Sequence, residues 1–141
     1  MELSYYIESQ QSISDDSLLR LTQEISREIN GNHPQAYIPT EGNHILIASD
    51  GAREILAFAV WQVWQESAFV GLAWTRPDSR RRGLYKALMA TLKREAAARG
   101  LKHIAACVLS SNTVSMAVHQ EVFGPPGTVA FWSPCSQEAQ P

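Results

Sequence analysis

A chain of 141 residues, 45% hydrophobic and 18% charged, can bury a core of its own and is too apolar for intrinsic disorder. Its net charge of -2 excludes a general polyanion-binding surface, so no nucleic acid partner is expected and any basic character is local. No apolar run reaches the ~18 residues that span a bilayer, and the N-terminus has no basic region or apolar signal core. Cys107 and Cys135 match neither metal spacing nor a disulfide framework. The expectation is a reduced, cytoplasmic protein with no metal and no membrane partner.

In chain order, residues 3–7 form a short apolar and aromatic run that reads as an opening strand. From Ser14 the period becomes helical: Ser14 is the cap, Asp15 and Asp16 favour the dipole, and Leu18, Leu21, Ile25 and Ile29 share a face. Gly31 ends this helix, and residues 31–42, with Pro34, Pro39 and Gly42, read as a loop. Strands are expected at 44–48, 54–64 and 68–74. The turn signals Asp50-Gly51 and Gln65 to Ser67 join them into an antiparallel meander.

The second half changes character. Leu84, Leu88, Leu92 and Ala96 recur every fourth residue, a helix of four to five turns closed by Gly100. Residues 103–109 are an apolar strand, expected to pair in parallel with the strand before the crossover helix. Ser111 and Asn112 open a second helix with Val114, Ala117, Val118 and Val122 as its apolar positions. A last short strand is expected at 128–132. The chain thus reads as a single domain over 1–132 with a flexible C-terminal tail at 133–141.

Between the strand at 68–74 and the long helix lies Thr75-Arg76-Pro77-Asp78-Ser79-Arg80-Arg81-Arg82-Gly83-Leu84-Tyr85. A strand-to-helix corner is a ready anion site, because the first amides of a helix lack intrahelical partners and carry the positive end of the dipole. Glycine lets backbone approach a phosphate closely, and arginines supply charge and bidentate donors. The bland alternative is a solvated arginine patch. Strand-turn-helix surroundings favour a cradle for a phosphorylated ligand.

Residues 80–85 resemble the Arg/Gln-x-x-Gly-x-Gly/Ala signature of the GNAT N-acetyltransferase superfamily, with Tyr85 where the signature usually has Gly or Ala. The element order resembles that family along nearly the whole chain, apart from a shortened region after the first helix and a missing final strand. The resemblance implies an α/β (α+β mixed) GNAT-like fold. Its central sheet would be mostly antiparallel with one splayed parallel strand pair, and helices would cover both faces. It also implies acetyl-coenzyme A as cofactor. The pantetheine arm would lie on backbone around Ala73, Trp74 and Thr75. The pyrophosphate would sit on amides of Arg81, Arg82, Gly83, Leu84 and Tyr85, with the Arg80 side chain at the corner.

Asn112, Ser115 and His119 resemble the family's Asn-x-x-(small)-x-x-x-Tyr pattern, in which Asn contacts the cofactor and Tyr is the proposed acid for the departing thiolate. His119 stands at the tyrosine position, two helical turns from Asn112. A histidine of unperturbed pKa ~6.5 can donate a proton near neutrality. The plainer reading makes Asn112 a cap and His119 a surface histidine. For a general base, Glu66 is the nearest carboxylate before the signature, with a turn residue as its bland reading, and Glu41 and His44 are weaker candidates. Trp61, Trp64, Trp74, Trp132 and Tyr37 either line an acceptor pocket or pack the sheet. His33 and His103 have no suitably spaced partners for a metal.

The function expected is therefore acetyl transfer from acetyl-coenzyme A directly to a primary amine of a small molecule or protein. The alternative is an acyl-coenzyme A-binding sensor module without catalysis. The missing last strand and exposed strand edges lead us to expect a homodimer.

Overall fold

Apolar runs joined by tight turns give strands that pair in chain order. The computed structural model describes residues 5–13, 15–30, 37–51, 54–80, 82–109 and 133–135. Its elements are β1 (Tyr6–Gln10), α1 (Asp16–Asn30), β2 (His44–Ser49), β3 (Ile55–Trp64), β4 (Ser67–Thr75), a 3-10 turn (Pro77–Ser79), α2 (Leu84–Ala98), β5 (His103–Leu109) and β6 (Ser133–Cys135). The strands adopt the order β1-β2-β3-β4-β5-β6. This is the mixed α/β architecture expected. Contacts group into two units, one holding the described residues of Met1–Gln62 and Gly71–Leu88, the other those of Val63–Val70 and Met89–Pro141.

In the first unit β1 pairs antiparallel with β2, from Tyr6↔Ser49 to Gln10↔Ile45. β2 pairs antiparallel with β3, with a register shift at Ala48/Ser49. One sheet face and α1 share a core of Leu18, Ile25, Ile45, Ile47, Phe58, Val60 and Leu72, with Tyr37 and Trp74 packed against it. The opposite face is buried too: Leu46, Ala48, Ala57, Ala59 and Trp61 are all inaccessible to solvent. A strand buried on both faces loses the polar alternation of a half-exposed one, which is why β3 reads as a near-continuous apolar run.

β1 is shifted three residues towards the C-terminus from the run at 3–7 and shares Tyr6 and Ile7 with it. Register with β2, rather than local hydrophobicity, selects Tyr6–Gln10, and an edge strand tolerates the exposed Glu8 and Ser9. Asp15 caps α1: its Oδ1 accepts from the Ser17 amide at 2.7 Å and the Leu18 amide at 3.3 Å, while Ser14 lies outside the described residues. Ile29 is exposed, and the polar Thr22 and Ser26 are buried in its place on the inner face. Thr22 is satisfied by donating to the Leu19 carbonyl and Ser26 by donating to the Tyr37 carbonyl.

In the second unit β4 and β5 pair in parallel, as expected, from Ser67↔His103 to Val70↔Ala106. α2 ends in a Schellman motif. Gly100 has φ +77, its amide donates to the Ala97 carbonyl, and the Leu101 amide donates to the Ala96 carbonyl. β5 then pairs in parallel with β6, a second parallel ladder. β6 falls at Ser133–Cys135, inside the stretch read as tail; residues 128–132 and 136–141 lie outside the described residues, as does the helix expected from Ser111.

Asp15→Ala removes the acceptor for two amides and is expected to lower unfolding free energy by about 1 kcal/mol. A urea titration reads this as a lower midpoint with unchanged slope.

Candidate functional site

β4 delivers the chain to the corner, and Arg76 fixes the path from there. Its amide donates to the Leu56 carbonyl at 2.8 Å, tying the end of β4 to the start of β3. Its guanidinium spans two carboxylates, Nη1 2.8 Å from Glu54 Oε2 and Nε 2.6 Å from Asp78 Oδ1. Pro77 then starts the 3-10 turn, with its φ already set for helical backbone. The Ser79 amide closes that turn on the Arg76 carbonyl at 2.8 Å, and Ser79 is buried. Arg76 is thus a structural clamp.

Arg80 is different. It is exposed and extended (φ -70, ψ 158), and its Nε donates to the Thr75 carbonyl at 3.1 Å. That single bond orients the guanidinium across the corner. Gly83 has φ +77, and among the described residues no heavy atom lies within 4 Å of where its Cβ would be, so it is a left-handed residue with room beside it. Its carbonyl accepts from the Ala87 amide at 3.0 Å, which makes Gly83 the N-cap of α2 and aims the positive end of the helix at this space. Arg82 is exposed beside it. An exposed glycine at a helix start, flanked by an oriented arginine, fits a phosphate group.

The remaining expected binding residues divide by depth. Leu84 is buried, so only its backbone can serve the corner. Tyr85 is half-buried, and burial pushes its phenol upward, holding it neutral. Thr75 is half-buried, and Trp74 lies with its ring 5.5 Å from that of Phe58. Arg81 and Asn112 lie outside the described residues, as do the catalytic candidate His119 and Trp132.

Glu66 occupies the turn between β3 and β4. Its carboxylate is 3.2 Å from Lys102 Nζ, and its carbonyl accepts from the Lys102 amide at 2.7 Å. It precedes the first residue of β4, whereas the arginine corner comes after the last. Glu41 is exposed in the turn before β2. His44 packs against Trp61 with ring centroids 4.4 Å apart. Trp61 is fully buried and belongs to the sheet, while Trp64 is half-exposed against Phe69 at 6.3 Å.

Sequence reasoning missed a polar set that pins the segment before β2. Tyr37 donates to Gln62 Oε1 at 3.3 Å, and Asn43 Nδ2 donates to the same oxygen at 3.2 Å. Asn43 Oδ1 accepts from the Thr40 amide at 2.8 Å, and Gln23 Nε2 donates to the Pro39 carbonyl at 2.9 Å. The available signal is Gly71, an isolated glycine within a strand, which marks close approach by another group. A Cβ there would run into the Tyr37 ring.

The clamp leaves a titration signature. Hydrogen bonding from Arg76 holds the Asp78 carboxyl below its ordinary value, with help from Ser79. A lowered folded value means the stabilisation is complete above the unfolded value of ~3.9 and is lost as pH falls through the folded one. Asp78 is expected to titrate below the normal carboxylate range in the intact protein and to return to it in Arg76→Ala, monitored by carboxyl carbon resonances across pH. An unshifted Asp78 in the intact protein contradicts the clamp.

Residues 11–124 match the Acetyltransferase (GNAT) family. The L-methionine sulfoximine/L-methionine sulfone acetyltransferase of Pseudomonas aeruginosa is 33% identical over 96 residues, 62% of this chain and 56% of that protein. The chain therefore spans about half the length of the curated relatives it matches. Among solved structures, the aminoglycoside N-acetyltransferase AAC(6')-Iy in complex with CoA superposes with a TM-score of 0.59 at 19% identity, covering 83% of this chain and 89% of that one. The ribosomal-protein-S18-alanine N-acetyltransferase from Escherichia coli does so at 0.59 and 20%, covering 88% and 85%. Signature, fold and family match agree: the chain belongs to the GNAT family of acetyltransferases.

Proposed function

We propose that the protein transfers an acetyl group from acetyl-coenzyme A to a primary amine, and that the corner at Arg80 and Gly83 holds the cofactor's pyrophosphate. The observation that carries this is Gly83, left-handed at the start of α2 with open space where a side chain would stand. Around it, Arg80 and Arg82 supply charge, the backbone of Leu84 and Tyr85 forms the helix start, and Arg81 completes the carried-over signature. The arm is assigned to the backbone of Ala73, Trp74 and Thr75, and Asn112 to a further cofactor contact. The thioester supplies the acetyl group. Positioning it against the amine accounts for most of the acceleration.

His119 is assigned the proton delivered to the departing sulfur, as the residue at the family's tyrosine position. For Glu66, the ion pair with Lys102 and the turn contacts support a structural part, with the amine arriving deprotonated. The acceptor class is a small amine, supported by the L-methionine sulfoximine/L-methionine sulfone acetyltransferase at 33% identity. A protein amine is the second class, after the ribosomal-protein enzyme with the same fold. We place the reaction in a single domain over 1–132, in the cytoplasm, and in a homodimer.

Thiol release from acetyl-coenzyme A, measured with L-methionine sulfoximine, aliphatic amines, aminoglycosides and a peptide amine, is expected to show saturable turnover with at least one acceptor. Binding of acetyl-coenzyme A without turnover on any of them would leave a sensor module in place of an enzyme. His119→Ala is expected to lower kcat by about 100-fold and flatten its pH profile, and Glu66→Gln to keep kcat within about twofold. Unaltered kcat across pH in His119→Ala removes the acid role.

A further inference from the structure

An isolated glycine within a strand marks close approach by another group. In β4 that glycine is Gly71: a Cβ there would run into three atoms of the Tyr37 ring, and Tyr37 packs against the core that holds Leu72. The Tyr37 ring occupies the space that any side chain at position 71 would take. It is held there from three directions: by Ser26 on its carbonyl, by Gln62 on its hydroxyl, and by the Asn43–Thr40 turn that shares Gln62.

Position 71 stands four residues before Thr75, about 13 Å back along the strand at 3.3 Å per residue. An arm that starts at the Gly83 corner and runs along the backbone of Thr75, Trp74 and Ala73 reaches Gly71 next. The acyl end of such a ligand therefore comes to the Tyr37 ring. Resting on the acetyltransferase reading, we propose that Tyr37, seated on Gly71, is the acceptor-side wall of the site, and that this pair determines which primary amines reach the acyl group. Burial raises the Tyr37 phenol to about 12, so it stays protonated and acts as a neutral surface, not as a base. A wall of ring face, hydroxyl and amide suits an amine whose carbon chain packs on the ring.

The test compares Gly71→Ala, Tyr37→Ala, Tyr37→Phe and the double variant Gly71→Ala/Tyr37→Ala. Each is measured for Tm, for acetyl-coenzyme A Kd by calorimetry, and for the KM of the best amine at saturating acetyl-coenzyme A. Gly71→Ala is expected to lower Tm and raise the amine KM by about tenfold or more, while the acetyl-coenzyme A Kd changes less than about threefold. The double variant removes the clash and is expected to recover Tm without recovering the amine KM, which a purely structural role would restore together. Tyr37→Phe keeps the ring and is expected to hold KM within about threefold. An amine KM unchanged in Gly71→Ala and Tyr37→Ala, or recovered in the double variant, overturns the proposal while the acetyltransferase reading stands. A wild type that neither binds acetyl-coenzyme A nor acetylates an amine overturns both.

Discussion

The bond from Arg80 Nε to the Thr75 carbonyl, three residues before a left-handed Gly83, is the constraint that shapes the corner. It ties the last residue of β4 to the chain entering α2, across five residues. Without it the guanidinium is a solvated charge. With it, one arginine is tied to the corner three residues before Gly83, at the positive end of a 15-residue helix. Everything else at the corner supports that closure. Arg76 ties the turn to β3 through its amide and to Glu54 and Asp78 through its side chain, and Pro77 presets the backbone. Exposed ion pairs each contribute little stability, so the clamp acts chiefly by setting geometry.

Two arginines four residues apart thus do opposite jobs, and composition cannot distinguish them. Arg76 lies between carboxylates and is spent on structure; Arg80 touches only a backbone carbonyl among the bonds described for it. The difference arises from Glu54, 22 residues upstream, which the turn into β3 brings alongside Arg76. Arg80, Arg82 and Gly83 are the residues a phosphate cradle requires, and they sit where the family signature falls. The side chains of Thr75, Trp74 and Leu84 are wholly or partly given to packing.

How much of the fold and site is legible in the sequence depends on the range of the forces involved. The strands β2 to β5 and helix α2 are legible because each is a strongly periodic or continuously apolar run with glycine or turn residues at its ends, and the parallel β4–β5 pairing comes from the crossover helix. The corner is legible because motif and surroundings coincide. β1 lies three residues off its apolar run because its position is set by partner register with β2, which no local pattern encodes. That Asp15 caps α1 is not legible because adjacent residues share capping chemistry and only the fold chooses among them. Tyr37 on Gly71 is a contact between residues 34 positions apart, and only the lone strand glycine hints at it. Glu66 is a candidate base by proximity in sequence, yet its carboxylate lies beside Lys102, 36 residues later in the chain.

The central claim is that Gly83 admits a pyrophosphate, and calorimetric titration of acetyl-coenzyme A into the wild type and Gly83→Glu tests it directly. A Cβ at 83 meets no heavy atom of the described residues within 4 Å, so the variant is expected to fold, losing only about 1 kcal/mol to the left-handed backbone. Its carboxylate would occupy the phosphate position. The account predicts saturable binding to the wild type and none to a folded Gly83→Glu. Equal affinity for both proteins would contradict it and move the cofactor away from this corner.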